Sequence, residues 1–89
     1  MTYTLVLTPQ AQKHLDEWRK SGQKKTLEKI AKLLEELTLH PTTGTGQVEQ
    51  LKGNLSGFWS RRINKADRII YSKEEDKVIV TVISMKGHY

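Results

Sequence analysis

The sequence predicts an α+β fold: a two-helix hairpin packed on one face of a small antiparallel sheet, in the order β-α-α-β-β-β. Apolar residues recur at helical spacing between Pro9 and Leu39. After a polar, glycine-bearing loop at Thr42–Gly46 the pattern changes to a period of two. The segments that follow are joined by connections too short for a crossover, which implies an antiparallel meander.

Thr2–Leu7 reads as the first strand, with Tyr3, Leu5 and Leu7 alternating against Thr2, Thr4 and Val6. Thr8 is a helix cap and Pro9 suits the first helical position, where no amide hydrogen is needed. Ala11, Leu15 and Trp18 then fall on one face, and Ser21-Gly22 interrupts. A second helix is expected from Gln23 to Leu39, with Leu27, Ile30, Ala31, Leu34 and Leu37 as its apolar stripe, and Pro41 stops it by disfavouring helix at His40. Phe58–Asn64, Arg68–Lys73 and Val78–Met85 read as strands, with polar turns at Lys65-Ala66-Asp67 and Glu74-Glu75-Asp76 and a short extra strand near Val48–Leu51. Val78–Ile83 is apolar except at Thr81, so burial on both faces is expected there.

A length of 89 residues suits one domain spanning 1–89, and 36% hydrophobic with 28% charged residues suits a folded chain rather than a disordered one. No apolar run approaches membrane-spanning length, and MTYTLVLTPQ lacks the features of a signal peptide, so a cytoplasmic location without membrane partners is expected. The absence of cysteine excludes disulfides and thiolate metal sites. With 15 Lys and Arg against 10 Asp and Glu, the formal charge of +5 favours contact with polyanions.

Functional side chains gather in the second half: Glu49, Lys52, Trp59, Arg61, Arg62, Arg68, His88 and Tyr89. RNA is cut without metal when its own 2′-hydroxyl attacks the adjacent phosphate in line. That reaction needs a base, an acid for the departing 5′-oxygen, and fixed cations beside the phosphate. A glutamate, a histidine and two or three arginines or lysines meet the requirement. Each residue also has a plainer reading. Glu49 could sit in a surface ion pair, Arg68 could be a sheet-edge charge, Trp59 could be core rather than a base-stacking platform, and His88 could be a frayed end. Arg61 and Arg62, being neighbours on a strand, point to opposite faces. His14 lies between the faces of the first helix and His40 at a helix end. No histidines share metal-ligand spacing, there is no P-loop or dinucleotide fingerprint, and Ser56 lacks a GxSxG setting, so neither metal nor other cofactor is expected.

The stretch from Glu49 through Ile63, with its run LxxNLSGFWSRRI, resembles the signature of the YoeB (Txe) family in the RelE/ParE toxin superfamily. Asp67-Arg68-Ile69-Ile70-Tyr71 looks like that family's next strand, and His88-Tyr89 like its usual ending. The resemblance implies a bacterial toxin of a type II toxin–antitoxin pair, which enters the A site of the 70S ribosome, cleaves mRNA there, and is blocked by a YefM-like antitoxin. It also suggests a homodimer of the free toxin. By this likeness Glu49 matches the general base, Arg68 the phosphate-binding arginine, His88 the general acid and Tyr89 a substrate-holding tyrosine. Lys52 and Arg62 match basic positions near the scissile phosphate, and Arg61 and Trp59 join them as candidate RNA contacts. Gln50, Asp67 and Gly87 depart from the pattern. Gln50 replaces a frequent proline. Asp67 replaces a frequent histidine with an acid that could compete for Arg68, although adjacent strand residues point apart. Gly87 implies a more flexible tail. The alternatives are a non-catalytic ribosome or RNA binder and a ParE-like gyrase inhibitor, against which the joint presence of Glu49, Arg68 and His88 argues.

Overall fold

Helix α1 (Pro9–Lys20) begins as its residues dictate: the Thr8 hydroxyl accepts the Ala11 N–H at 3.1 Å, with Pro9 in the first turn. The computed structural model describes residues 2–87. Its other elements are β1 (Thr4–Leu7), α2 (Lys24–Leu39), β2 (Glu49–Gln50), a 3-10 turn (Gly53–Leu55), β3 (Trp59–Arg62), β4 (Arg68–Glu74) and β5 (Ile79–Ser84). The α+β class and the element order agree with expectation, including the short strand before the GFWSRR run. No helix among the described residues is long and apolar enough to cross a membrane.

The five strands form one sheet in the order β1-β5-β4-β3-β2. The meander from β2 to β5 is antiparallel, but β1 pairs with β5 in parallel, Leu5 opposite Val80 and Leu7 opposite Val82. The sheet is therefore mixed rather than wholly antiparallel. Strands so distant in sequence are not bound by hairpin geometry.

Ala11, Leu15 and Trp18 of α1 and Ile30, Leu33 and Leu37 of α2 pack on Ile69, Tyr71, Val80 and Val82 of the sheet. Each large apolar side chain buried in this way contributes about 1.5–3 kcal/mol. Two expectations change. The stripe of α2 is centred on Leu33, which is fully buried, while Ala31 is exposed and Leu27 and Leu34 only partly covered. In β5, Val80 and Val82 are buried but Ile79, Thr81 and Ile83 are half-exposed, because the helices cover only one face.

The helix side of the sheet also holds a charge. Arg61 has no exposed surface, and its guanidinium donates to Glu36 Oε1 at 3.1 Å and to the carbonyls of Thr45 at 3.3 Å, Thr43 at 2.6 Å and His40. Its Nε reaches the Tyr71 hydroxyl at 3.4 Å, which itself donates to the Pro41 carbonyl at 2.5 Å. Glu36 Oε1 also accepts the Thr45 N–H at 2.8 Å. Arg61 thus ties the 40–45 loop to both α2 and the sheet, and this loop leads into β2. Gly44 passes so close that a side chain there would strike Glu36 and Arg61, and its φ of 116° favours glycine as well.

The Thr45 N–H, and after it the Arg61 charge, hold the Glu36 carboxyl below the usual carboxylate range, against a burial cost that acts the other way. A depressed pKa stabilises the fold above the unfolded-state value and loses that contribution as pH falls through the folded one. Glu36→Gln, which keeps an acceptor for Thr45, is therefore expected to be less stable than wild type at pH 7. The difference should close as pH drops below the ordinary glutamate range. Urea unfolding of both proteins from pH 7 to pH 3 checks this; a difference that stays constant across the series would contradict it.

Candidate active site

Strand alternation sorts the second half of the chain onto two faces. Trp59, Arg61, Ile69 and Tyr71 turn toward the helices. Ser60, Arg62, Arg68 and Ile70 turn away, with Arg62 directly opposite Arg68 and Ser60 opposite Ile70. On the other side of β3, Glu49 lies opposite Ser60. The register thus brings together residues widely separated in sequence on the helix-free face.

Arg68 Nη1 donates to Glu49 Oε2 at 3.2 Å and to Ser60 Oγ at 3.4 Å. The Glu49 side chain is 61% exposed and that of Arg68 20%. An ion pair so open to solvent holds its partners by no more than about 1 kcal/mol. Arg68 is held from below by buried Ser60 and can exchange its carboxylate partner for another anion. Ser60 was not anticipated as part of the site, although its position two residues before Arg62 already implied the shared face.

Arg62 adds a second cation. Two arginines directly opposite on adjacent strands repel. Among the described residues Arg62 makes no salt bridge, and its Nε is buried without a hydrogen-bond partner. A guanidinium with no ion-pair partner among the described residues, set beside another, is suited to an anion with several oxygens. Lys52 is exposed on the turn after β2.

Beside Arg68, the Asp67 carboxylate does not compete for it as the sequence suggested. Asp67 Oδ1 accepts the Gly87 N–H at 2.8 Å, and the Arg68 backbone N–H donates to the Gly87 carbonyl at 3.0 Å. Gly87, expected to loosen the tail, is held at both its polar atoms, with a φ of 76° that suits glycine. The next two expected site residues, His88 and Tyr89, lie outside the described residues.

Two expected RNA contacts lie elsewhere. Arg61 is interior, its guanidinium occupied by Glu36 and loop carbonyls, so it cannot reach RNA in this fold. Trp59 packs partly buried against the core, on the face opposite Arg68. His14, set aside from the sequence, has a definite contact: its Nδ1 accepts the Met85 N–H at 3.1 Å. No group of three or more His, Cys, Asp or Glu among the described residues could hold a metal ion.

Comparison with known proteins shows the family and the fold. Residues 7–89 match the family model described as the YoeB-like toxin of bacterial type II toxin-antitoxin systems. Toxin YoeB of Synechocystis is 39% identical over 72 residues, 81% of either chain. The YoeB/ParE toxin from Agrobacterium tumefaciens superposes with a TM-score of 0.89 at 31% identity, covering 97% of this chain and 99% of that one. The toxin in a heterotetrameric YoeB-YefM toxin-antitoxin complex from Staphylococcus aureus superposes with a TM-score of 0.82 at 31% identity over the full length of both chains. With its register-aligned Glu49, Arg62 and Arg68 on the helix-free face, the chain belongs to the YoeB-like toxins of bacterial type II toxin-antitoxin systems.

Proposed function

We propose that this toxin is a metal-independent endoribonuclease that cleaves mRNA in the ribosomal A site and thereby arrests translation in the bacterial cytoplasm. The observation that carries the reading is the convergence of one solvent-accessible carboxylate and two arginines on the helix-free face, Glu49 and Arg68 3.2 Å apart and Arg62 opposite Arg68.

The chemistry follows from the groups present. Glu49 takes the proton of the 2′-hydroxyl as that oxygen attacks the adjacent phosphorus. Arg68, released from Glu49 by the arriving phosphate, and Arg62 neutralise the charge that builds on the non-bridging oxygens. The bond from phosphorus to the 5′-oxygen breaks, His88 delivers a proton to that oxygen, and a cyclic 2′,3′-phosphate and a 5′-hydroxyl result. Tyr89 helps hold the substrate, and Lys52 adds positive charge at the rim. Blockade follows the same electrostatics. A YefM-like antitoxin with an acidic segment is attracted by the +5 chain and covers the arginines.

The test is purified protein with translating ribosomes, mapping new mRNA 5′ ends, with gyrase supercoiling assayed alongside. Wild type is expected to cut ribosome-bound mRNA and leave supercoiling untouched. Glu49→Gln and His88→Gln are each expected to slow cleavage by roughly a hundredfold or more, the usual cost of losing a general base or acid. Circular dichroism should show both variants folded. Wild-type rates in folded variants would remove Glu49 and His88 from these roles, and intact mRNA with wild type would remove the nuclease reading itself.

A further inference from the structure

The segment that follows β5 is held at successive residues, Met85, Lys86 and Gly87. From α1, the Trp18 indole N–H donates to the Met85 carbonyl at 2.9 Å and His14 Nδ1 accepts the Met85 N–H at 3.1 Å. Lys86 Nζ meets Glu17 Oε1 at 3.1 Å and lies 5.2 Å from the Trp18 ring centroid. From the sheet, Gly87 is held by Asp67 and Arg68. The Arg68 backbone N–H thus fixes the carbonyl of the residue that precedes His88. The same residue's side chain faces the proposed phosphate site.

Asp67 is fixed before it grips. Its N–H donates to Asn64 Oδ1 at 2.8 Å, and its carbonyl accepts from Ile63 at 2.9 Å and Asn64 at 3.3 Å. Its carboxylate therefore extends from a rigid turn. A negative charge next to an RNA-binding arginine opposes RNA attraction, so an electrostatic reason for an acid here is lacking. A geometric reason is present.

We propose that Asp67 is a positioning residue that acts through Gly87: its carboxylate fixes, beside Arg68, the backbone to which His88 is joined. This rests on the ribonuclease reading, in which His88 supplies the proton. The carboxylate oxygen matters as a hydrogen-bond acceptor, and its charge does not.

Single-turnover cleavage on saturating programmed ribosomes should fall roughly 10- to 100-fold for Asp67→Ala, the scale on which small misplacements of a reacting group act. Ribosome affinity should be unchanged or tighter, since one negative charge is gone. Asp67→Asn keeps an oxygen acceptor and should cleave within about threefold of wild type. Amide hydrogen exchange at Gly87 should quicken in Asp67→Ala and stay slow in Asp67→Asn. Cleavage by Asp67→Ala at the wild-type rate, an unchanged Gly87 exchange rate, or equal losses in the two variants would each overturn the proposal. Uncut mRNA with wild type would instead mark failure of the ribonuclease reading.

Discussion

Arg61→Ala is expected to destabilise the fold by about 3–5 kcal/mol, the scale for breaking a buried ion pair from one side. The side chain is wholly enclosed, and its removal leaves the carbonyls of His40, Thr43 and Thr45 without their guanidinium donors. It also leaves the Glu36 carboxylate, 19% exposed, without its cation. Domains of this size have a total stability of roughly 0.05–0.15 kcal/mol per residue, so the loss is a large share of the whole. Arg61→Lys should recover only part of it. A single ammonium cannot reproduce a planar fork that reaches three carbonyls, a carboxylate and a hydroxyl from different directions. The 40–45 loop should loosen first, and with it the approach to Glu49. Urea unfolding of the three proteins measures the stabilities. An alanine variant within 1 kcal/mol of wild type would show that water or rearrangement replaces the guanidinium at little cost.

That Arg61 belongs to the interior was legible in the sequence, in a signal that the basic pair obscured. Trp59, Arg61 and Ile63 stand at i, i+2 and i+4, and Ile63 is buried while Trp59 packs on the core, so the residue between them shares the inward face. Two adjacent arginines invite a single role as a basic patch. Period two assigns them opposite ones, Arg61 to the core and Arg62 to the helix-free face. The helix cap at Thr8, the stop before Pro41 and the β2–β5 meander were legible because each depends on a few neighbouring residues. The parallel β1–β5 pairing and the Asp67–Gly87 contact were not, because nothing local sets them. The latter joins residues 20 apart across a strand pair whose register shifts between Ile70 and Tyr71. Glu49 and Arg68 were expected on one site, and the structure brings them within hydrogen-bonding distance.

Arg68→Ala is expected to slow single-turnover cleavage by roughly 10²–10³-fold, the range for deleting one preorganised donor to a developing anion. The fold should stay within about 0.5 kcal/mol of wild type, as for most substitutions outside the core. These two expectations come from the same geometry. Arg68 faces Arg62 across the β3–β4 ladder, an arrangement that costs the free protein stability and becomes favourable only when an anion lies between the two. Its pair with Glu49 is too exposed to offset much of that cost. A residue kept for the fold would lose far more stability than this when removed, as Arg61 should. Lys77→Ala is the control for bulk charge. Lys77 follows β4 at the end opposite Arg68, about 20 Å away at some 3.3 Å per residue along the strand. It is exposed and pairs loosely with Glu74 at 3.6 Å. Its removal lowers only the long-range attraction to RNA, so at saturating ribosomes its rate should stay within about twofold of wild type. Raising the salt should slow association of all three proteins with ribosomes while leaving the gap between Arg68→Ala and Lys77→Ala in the cleavage step intact. If the two variants slow cleavage equally, Arg68 acts only as one more positive charge, and the contact that stabilises the transition state must be sought at Arg62 or Lys52.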